Sequence, residues 1–171
     1  MEIQVTEYID VQKRATELDC NVPTGLAILP RNFETAESKE ELFHEDSTIT
    51  IRSLWRQNKI VETRLEGEGR KFPSIQEKYF EWIGPTIFIS SSLLTQNPTL
   101  VTVALNVLSN YVTDFFKGHL GDHSVSVNLV FEKVNKHGDD EERSYKLVNL
   151  KGTVEDLNKL DKESIKKLVE E

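Results

Sequence analysis

The sequence predicts an α+β fold. One domain spans residues 1–171, with a small mixed or antiparallel sheet packed around one long buried helix at 98–117 and a C-terminal β-hairpin at 124–150. Three observations carry this expectation. Trp82 to Thr113 is a run of 32 residues without Asp, Glu, Lys or Arg, and its second half repeats apolar residues at helical spacing. Val125, Val127, Leu129 and Phe131 alternate with Ser126, Asn128 and Val130, which is the period of a half-buried strand. Turn-forming Gly and Pro residues separate the apolar segments, as they do where helices and strands are interleaved.

Glu2–Val11 carries Ile3 and Val5 in alternation, then Tyr8 and Ile9 less regularly, and predicts an opening strand. Cys20 falls in the connection to the next apolar run, Gly25 to Pro30, which is short and bounded as a buried strand is. Arg31 to Asp46 is polar and acidic, with a helical turn predicted at Ser38–Phe43. Asp46-Ser47 can cap a helix that places Ile51, Leu54, Trp55 and Asn58 on one face, although Thr48–Ile51 equally suits a strand. Ile60–Leu65 predicts a strand stopped by Gly67 and Gly69. Pro73 then opens a predicted helix through Ile75, Tyr79, Trp82 and Ile83, closed by Gly84-Pro85. Residues 86–94 read both ways: Pro85 suits a helix start, whereas Ile87 and Ile89 before three serines suit a strand.

The long helix is the clearest element. Asn97 supplies an N-cap and Pro98 a first helical residue whose missing N–H is not needed. Leu100, Val101, Ala104, Leu105, Leu108, Tyr111, Val112, Phe115 and Phe116 recur at helical spacing. Thr99, Thr102, Asn106, Asn110, Thr113 and Lys117 are left as one narrow polar stripe, and Gly118 is a fitting terminator. A helix with so little polar surface must be covered by its own domain or by another subunit. Asn106, Asn110, Tyr111, Phe115 and Phe116 are therefore the interface candidates. Beyond it, Asn135–Glu142 around Gly138 predicts the turn of the hairpin, with Tyr145, Leu147 and Leu150 on the returning strand. Thr153 caps a short helix with Val154 and Leu157, and Asp161 and Ser164 lead into a terminal helix with Ile165, Leu168 and Val169.

Charge and composition exclude several function classes. The 21 basic against 29 acidic residues leave a net charge of −8, which argues against nucleic-acid binding through the overall field. A single cysteine forms no internal disulfide, and MEIQVTEYID lacks the basic and apolar regions of a signal peptide, so the expected location is cytoplasmic. Ser90–Ser92, Thr95, Gln96 and Asn97 interrupt the uncharged run, and Asn106, Asn110 and Asp114 would be costly in lipid, so no membrane span is expected.

The search for chemistry yields little. There is no G-x-x-x-x-G-K-[ST] and no G-x-S-x-G elbow, and Gly67-x-Gly69 lacks the third glycine of a G-x-G-x-x-G dinucleotide turn and does not open a helix. His119 and His123 have the spacing of two ligands on a helix, but Gly118 and Gly121 make that segment a loop, so neither a metal nor a cofactor is expected. Cys20 with His44 is more simply read as an inert buried thiol beside an unrelated imidazole. Asp139–Glu142 lacks the alternating ligands of a calcium loop. Arg52 and Arg56, four apart, share a helical face able to grip phosphate or an acidic partner, and Arg31 and Asn32 follow a strand end, where ligands often bind in α/β folds. These four residues are the ligand-binding candidates. The bland alternatives are a solvated helix face for the first pair and a structural turn for the second.

The order of a long uncharged helix (98–116), a strand (124–134), a charged turn, a returning strand (144–150) and a short helix around Leu157 resembles small effector-associated accessory domains of bacterial conflict and defence systems. That resemblance spans residues 98–171 and implies a non-catalytic adaptor. The sequence thus predicts an interaction protein that forms homo-oligomers or docks to a larger effector. The alternative from a different class is a hydrolase or nucleotide-acting enzyme using Arg31, Asn32, His44 and Glu45.

Overall fold

The computed structural model describes residues 1–67, 69–75, 81–117, 124–159 and 167. In chain order the elements are β1 (Glu2–Glu7), α1 (Val11–Glu17), β2 (Leu26–Leu29), a 3-10 turn (Lys39–Glu41), β3 (His44–Glu45), α2 (Thr48–Gln57), β4 (Ser74–Ile75), β5 (Glu81–Ile89), α3 (Ser91–Gln96), α4 (Pro98–Phe115), β6 (Ser124–His137), β7 (Asp140–Gly152) and α5 (Val154–Asn158). Five strands form one mixed sheet in the order β1-β7-β6-β5-β2, and β3 pairs with β4 in a separate two-stranded ribbon. The fold is α+β, as predicted.

Adjacent strands in the large sheet are antiparallel except β5 and β6, which run parallel. Parallel neighbours require a long return, and α3 with α4 supplies it. The 18 residues of α4, at about 1.5 Å each, span about 27 Å, close to the length of the nine-residue β5 it returns along. Asn97 caps α4 by accepting from the Leu100 N–H, and Pro98 occupies the first turn.

Side chains alternate across a strand, so the sheet has two covered faces. On one, Ile28, Ile87, Val127, Leu129 and Val148 meet α4 together with Ile51 and Trp55 of α2 and Leu157 of α5. On the other, Ala27, Leu29, Phe88, Val130 and Tyr145 meet Val11 and Ala15 of α1 and the side chains of Phe33, Leu42 and Leu65. The long helix is therefore covered by its own chain: Val101, Ala104, Leu105, Leu108 and Val112 are buried, each large apolar side chain contributing about 1.5–3 kcal/mol. The indole N–H of Trp55 donates to the Ala104 carbonyl at 3.2 Å and ties α2 to α4. Thr99, Asn106, Asn110 and Thr113 form the exposed stripe that the sequence assigned to them. Among the described residues no helix is long and apolar enough to cross a membrane.

Several elements differ from expectation. The opening strand ends at Glu7, not Val11, because Asp10 accepts from the Lys13 N–H and starts α1, whose Val11 and Ala15 are buried. Ile60–Leu65 forms no strand. Thr63 makes one bridge to Ala27, while Glu62 and Arg64 leave the line of the ladder for ion pairs with Arg52 and Glu66. The helix predicted from Pro73 is replaced by β4 and β5, with Trp82 and Ile83 in the sheet. Gly84-Pro85 does not end the element because the β5–β6 register shifts between Ile83 and Thr86, and at that irregularity a residue without an N–H is tolerated. Residues 86–94 divide: Ile89 closes β5, then Ser90 accepts from the Leu93 N–H and caps α3. The hairpin ladder runs on to His137 opposite Asp140, so the turn shrinks to Gly138-Asp139, where Gly138 takes a φ of 65°. Tyr79, Gly118, the His119/His123 pair and the terminal helix predicted with Ile165, Leu168 and Val169 lie outside the described residues.

Candidate anion-binding site

The flank of α2 presents Thr48, Arg52 and Arg56 at intervals of four, with Ile49 and Ser53 beside them, so these side chains stand in a row. Facing them across a cleft of about 260 Å³ are Arg64, Glu66, Lys71, Phe72 and Ser74, and His44 forms part of the lining between the two walls. β3 places His44: its N–H bonds the Pro73 carbonyl at 2.9 Å, and the residue pairs with Ser74 in the parallel ribbon. A strand sends consecutive side chains to opposite sides. His44 therefore faces Phe72, with ring centroids 5.3 Å apart, while Glu45 turns to Arg31 at 3.3 Å.

Behind the cleft lies a buried ion cluster. Arg52 donates to Glu66 through two bonds of 2.5 and 3.1 Å and to Glu62 through a third of 2.7 Å. Burial pushes the Glu66 carboxyl up, but its contacts with His44 and Arg52 outweigh that and hold it well below the usual carboxylate range. Burial raises Glu62 despite Arg52. His44, only 3% exposed, is lowered by burial, with the charges of Arg52 and Arg64 adding to the effect against Glu66. Its Nε2 lies 3.4 Å from Glu66 Oε2, an electrostatic contact outside hydrogen-bond geometry.

The cleft lining carries four cationic side chains, Arg52, Arg56, Arg64 and Lys71, against one carboxylate, Glu66. Arg52 and Glu66 satisfy each other. Arg64 Nη2 reaches Glu66 and the Arg70 carbonyl, each at 3.4 Å. Arg56 and Lys71 are exposed and form no ion pair among the described residues. Four buried polar atoms of the lining also lack a hydrogen-bond partner: Thr48 Oγ1, both ring nitrogens of His44 and Arg64 Nε. A buried group left unpaired costs about 1–3 kcal/mol. An anion in the cleft could accept from Thr48 and Arg64 while meeting the charges of Arg56 and Lys71.

The other sequence candidates are placed elsewhere. Asn32 clamps a turn, donating to the Glu41 carbonyl at 2.9 Å and accepting from the Phe43 N–H at 3.2 Å, with Phe33 fully buried beside it. Arg31, Asn32 and Glu45 thus lie apart from the His44 side of β3. Arg52 and Arg56 do share a face, but Arg52 is consumed by carboxylates and only Arg56 is open. Cys20 packs in the core below α1, its thiol near the Leu18 carbonyl and its pKa raised by burial. Tyr111, Phe115 and Phe116 line a second cleft, while Asn106 and Asn110 stand in solvent. Glu62, Glu66 and Lys71 escape a reading of the sequence as site residues, because no local spacing joins them to α2. A third cleft, beside α3, contains buried Glu132, but that carboxylate is already bonded by Tyr145 Oη at 3.1 Å and by Arg143 and the Ser91 N–H at 3.3 Å. Among the described residues no group of three His, Cys, Asp or Glu side chains could hold a metal ion. No family model matches the sequence, and neither the curated proteins nor the solved structures contain a match to it.

Proposed function

We propose that this protein is a non-catalytic accessory protein that docks to a partner presenting an anionic group, phosphate or clustered carboxylate, and that the cleft along α2 is its recognition site. One observation carries the reading. Cations from two separate chain segments, Arg56 on α2 and Arg64 and Lys71 on the opposite wall, converge where buried polar atoms have no partner. A merely solvated face needs no unpaired buried atoms. In a chain of net charge −8, such a local concentration of positive charge favours a specific anion over non-specific polyanion binding. The bacterial defence setting and a larger effector as partner follow from the resemblance of residues 98–171 and form part of the same proposal.

Self-association draws less support, since α4 is covered by its own sheet, α2 and α5. The enzymatic alternative gains none from the geometry, because His44 and Glu45 point to opposite sides of β3 and Asn32 is spent on a turn.

Calorimetric titration with inorganic phosphate at low salt tests the proposal, with chloride at equal ionic strength as the control. Saturable binding is expected, weakened about tenfold or more in the doubly substituted Arg56→Ala, Lys71→Ala protein, since hydrogen bonds to charged groups contribute about 1.5–3 kcal/mol each. Both residues are exposed, so folding is not at stake. Equal heats for the wild type and the variant would overturn it.

A further inference from the structure

On the other side of β3 a second cleft, of about 280 Å³, has the opposite character. Its walls are aromatic. Trp82 and Tyr111 have ring centroids 6.2 Å apart at 59°, and Tyr111 and Phe115 are 6.3 Å apart at 43°, so three tilted rings follow one another around the space. Trp82 is a fixed wall: a Cβ on Gly84 would lie 2.6 Å from its six-membered ring, which shows how closely the indole lies against the glycine backbone. Phe115 is half exposed, at 51%, and available to a ligand.

The charge around these rings is negative. Glu45, Asp46 and Glu81 line the cleft, and no Lys or Arg does so among the described residues. Glu45 is met by Arg31 and Glu81 by Lys151, at 3.3 and 3.4 Å. Asp46 is exposed and has no ion pair among the described residues. Its charge reaches the cleft, for after burial it is the next cause of the raised Tyr111 pKa. Tyr111 and Phe115 sit in the last turns of α4, whose carbonyl end carries partial negative charge and favours a cation. A second, independent observation points to a ligand. Ser47, 5% exposed, lines the cleft with its Oγ unpartnered.

We infer that this cleft binds an alkylated ammonium group, held by cation–π contacts with Trp82, Tyr111 and Phe115, by the charge of Asp46, and by a hydrogen bond from a neighbouring ligand hydroxyl to Ser47. Aromatic faces attract a cation through the ring quadrupole, and methyl groups on nitrogen let it approach those faces with little loss of hydration. A bare ammonium keeps its water and gains less. The inference does not depend on the anion cleft, which lies on the His44 side of β3.

The test is a nuclear magnetic resonance titration of the whole protein with tetramethylammonium, choline and ammonium, following the indole N–H of Trp82. The indole of Trp55, bonded to Ala104, is the internal reference. Tetramethylammonium is expected to shift Trp82 saturably and ammonium only weakly, with choline binding more tightly through its hydroxyl. Phe115→Leu keeps the bulk and removes a ring, and Asp46→Asn removes the charge; each is expected to weaken binding about three- to tenfold. Both positions are exposed, so neither substitution threatens the fold. A Trp82 signal that never saturates, ammonium binding as well as tetramethylammonium, or unchanged affinity in both variants would overturn the inference.

Discussion

Arg52 and Glu66 form a forked ion pair, two N–H donors on two carboxylate oxygens at 2.5 and 3.1 Å, with both side chains withdrawn from solvent. This pair converts a face that would otherwise be a simple basic stripe into a structured cleft. It anchors the wall bearing Arg64 and Lys71 to the helix bearing Arg56.

Breaking that pair should be expensive. Arg52→Ala leaves Glu66 buried and uncompensated and is expected to cost about 3–5 kcal/mol. Urea denaturation with an unchanged slope measures it. A loss below about 1 kcal/mol, the range of a solvated pair, would contradict the burial described for Glu66.

Acid should destabilise the protein through His44. Burial holds its pKa down, so the folded state stays neutral at pH values where the unfolded chain, with a pKa of about 6.5, takes up a proton. The unfolded state then binds more protons, and stability falls as pH drops below about 6.5. Glu66, whose pKa is depressed, adds a loss in the same direction once pH falls below the unfolded value of about 4.3. Glu45 and Glu62 are raised by burial and act oppositely, so the His44 contribution must be read as a difference. The wild-type urea midpoint should fall relative to that of His44→Gln between pH about 7 and about 5.5. Parallel curves would show that His44 titrates normally.

The packing of α4 is tested at its buried face and at its link to α2. Leu108→Ala, at a fully buried position, is expected to cost about 2–5 kcal/mol. Trp55→Phe removes the bond to Ala104 along with part of the ring and should cost about 1–2 kcal/mol. Thermal unfolding of the two variants should rank them in that order.

Gly84→Ala tests the close approach of Trp82. The added methyl would sit 2.6 Å from the indole, so the ring must move, at an expected cost of about 1–3 kcal/mol. A changed near-ultraviolet circular dichroism spectrum with retained far-ultraviolet signal is the expected outcome. An unchanged spectrum with unchanged stability would contradict the close approach of the indole to Gly84.

The parts of the fold legible in the sequence were those specified locally. Asn97-Pro98 and the spacing of Val101, Ala104, Leu105, Leu108 and Val112 define α4 almost to the residue, and Thr153 with Asp156 does the same for α5. α1 also has a local signal, Asp10 followed by Val11, Ala15 and Leu18 at helical intervals, but it is short and adjoins the strand pattern of Ile3 and Val5. β5 was obscured because Gly84-Pro85 looks like a helix stop, and only the parallel partner β6 reveals the irregularity that accommodates it. The site was half legible. Arg52 and Arg56 share a face by spacing alone, but the burial of Glu66 and the unpartnered Thr48 Oγ1, His44 ring nitrogens and Arg64 Nε arise from segments joined only by the tertiary fold.

The most direct measurement follows the arginine side chains themselves. In a proton–nitrogen correlation spectrum of the side-chain Nε–H groups, inorganic phosphate should shift the Arg64 signal along a saturable curve, since that donor has no partner in the free protein. The Arg14 signal, bonded to the Phe33 carbonyl at 2.8 Å and not part of the cleft lining, should stay in place. An Arg64 signal that does not move, or that drifts with salt in step with Arg14, would contradict the assignment of the α2 cleft as an anion site.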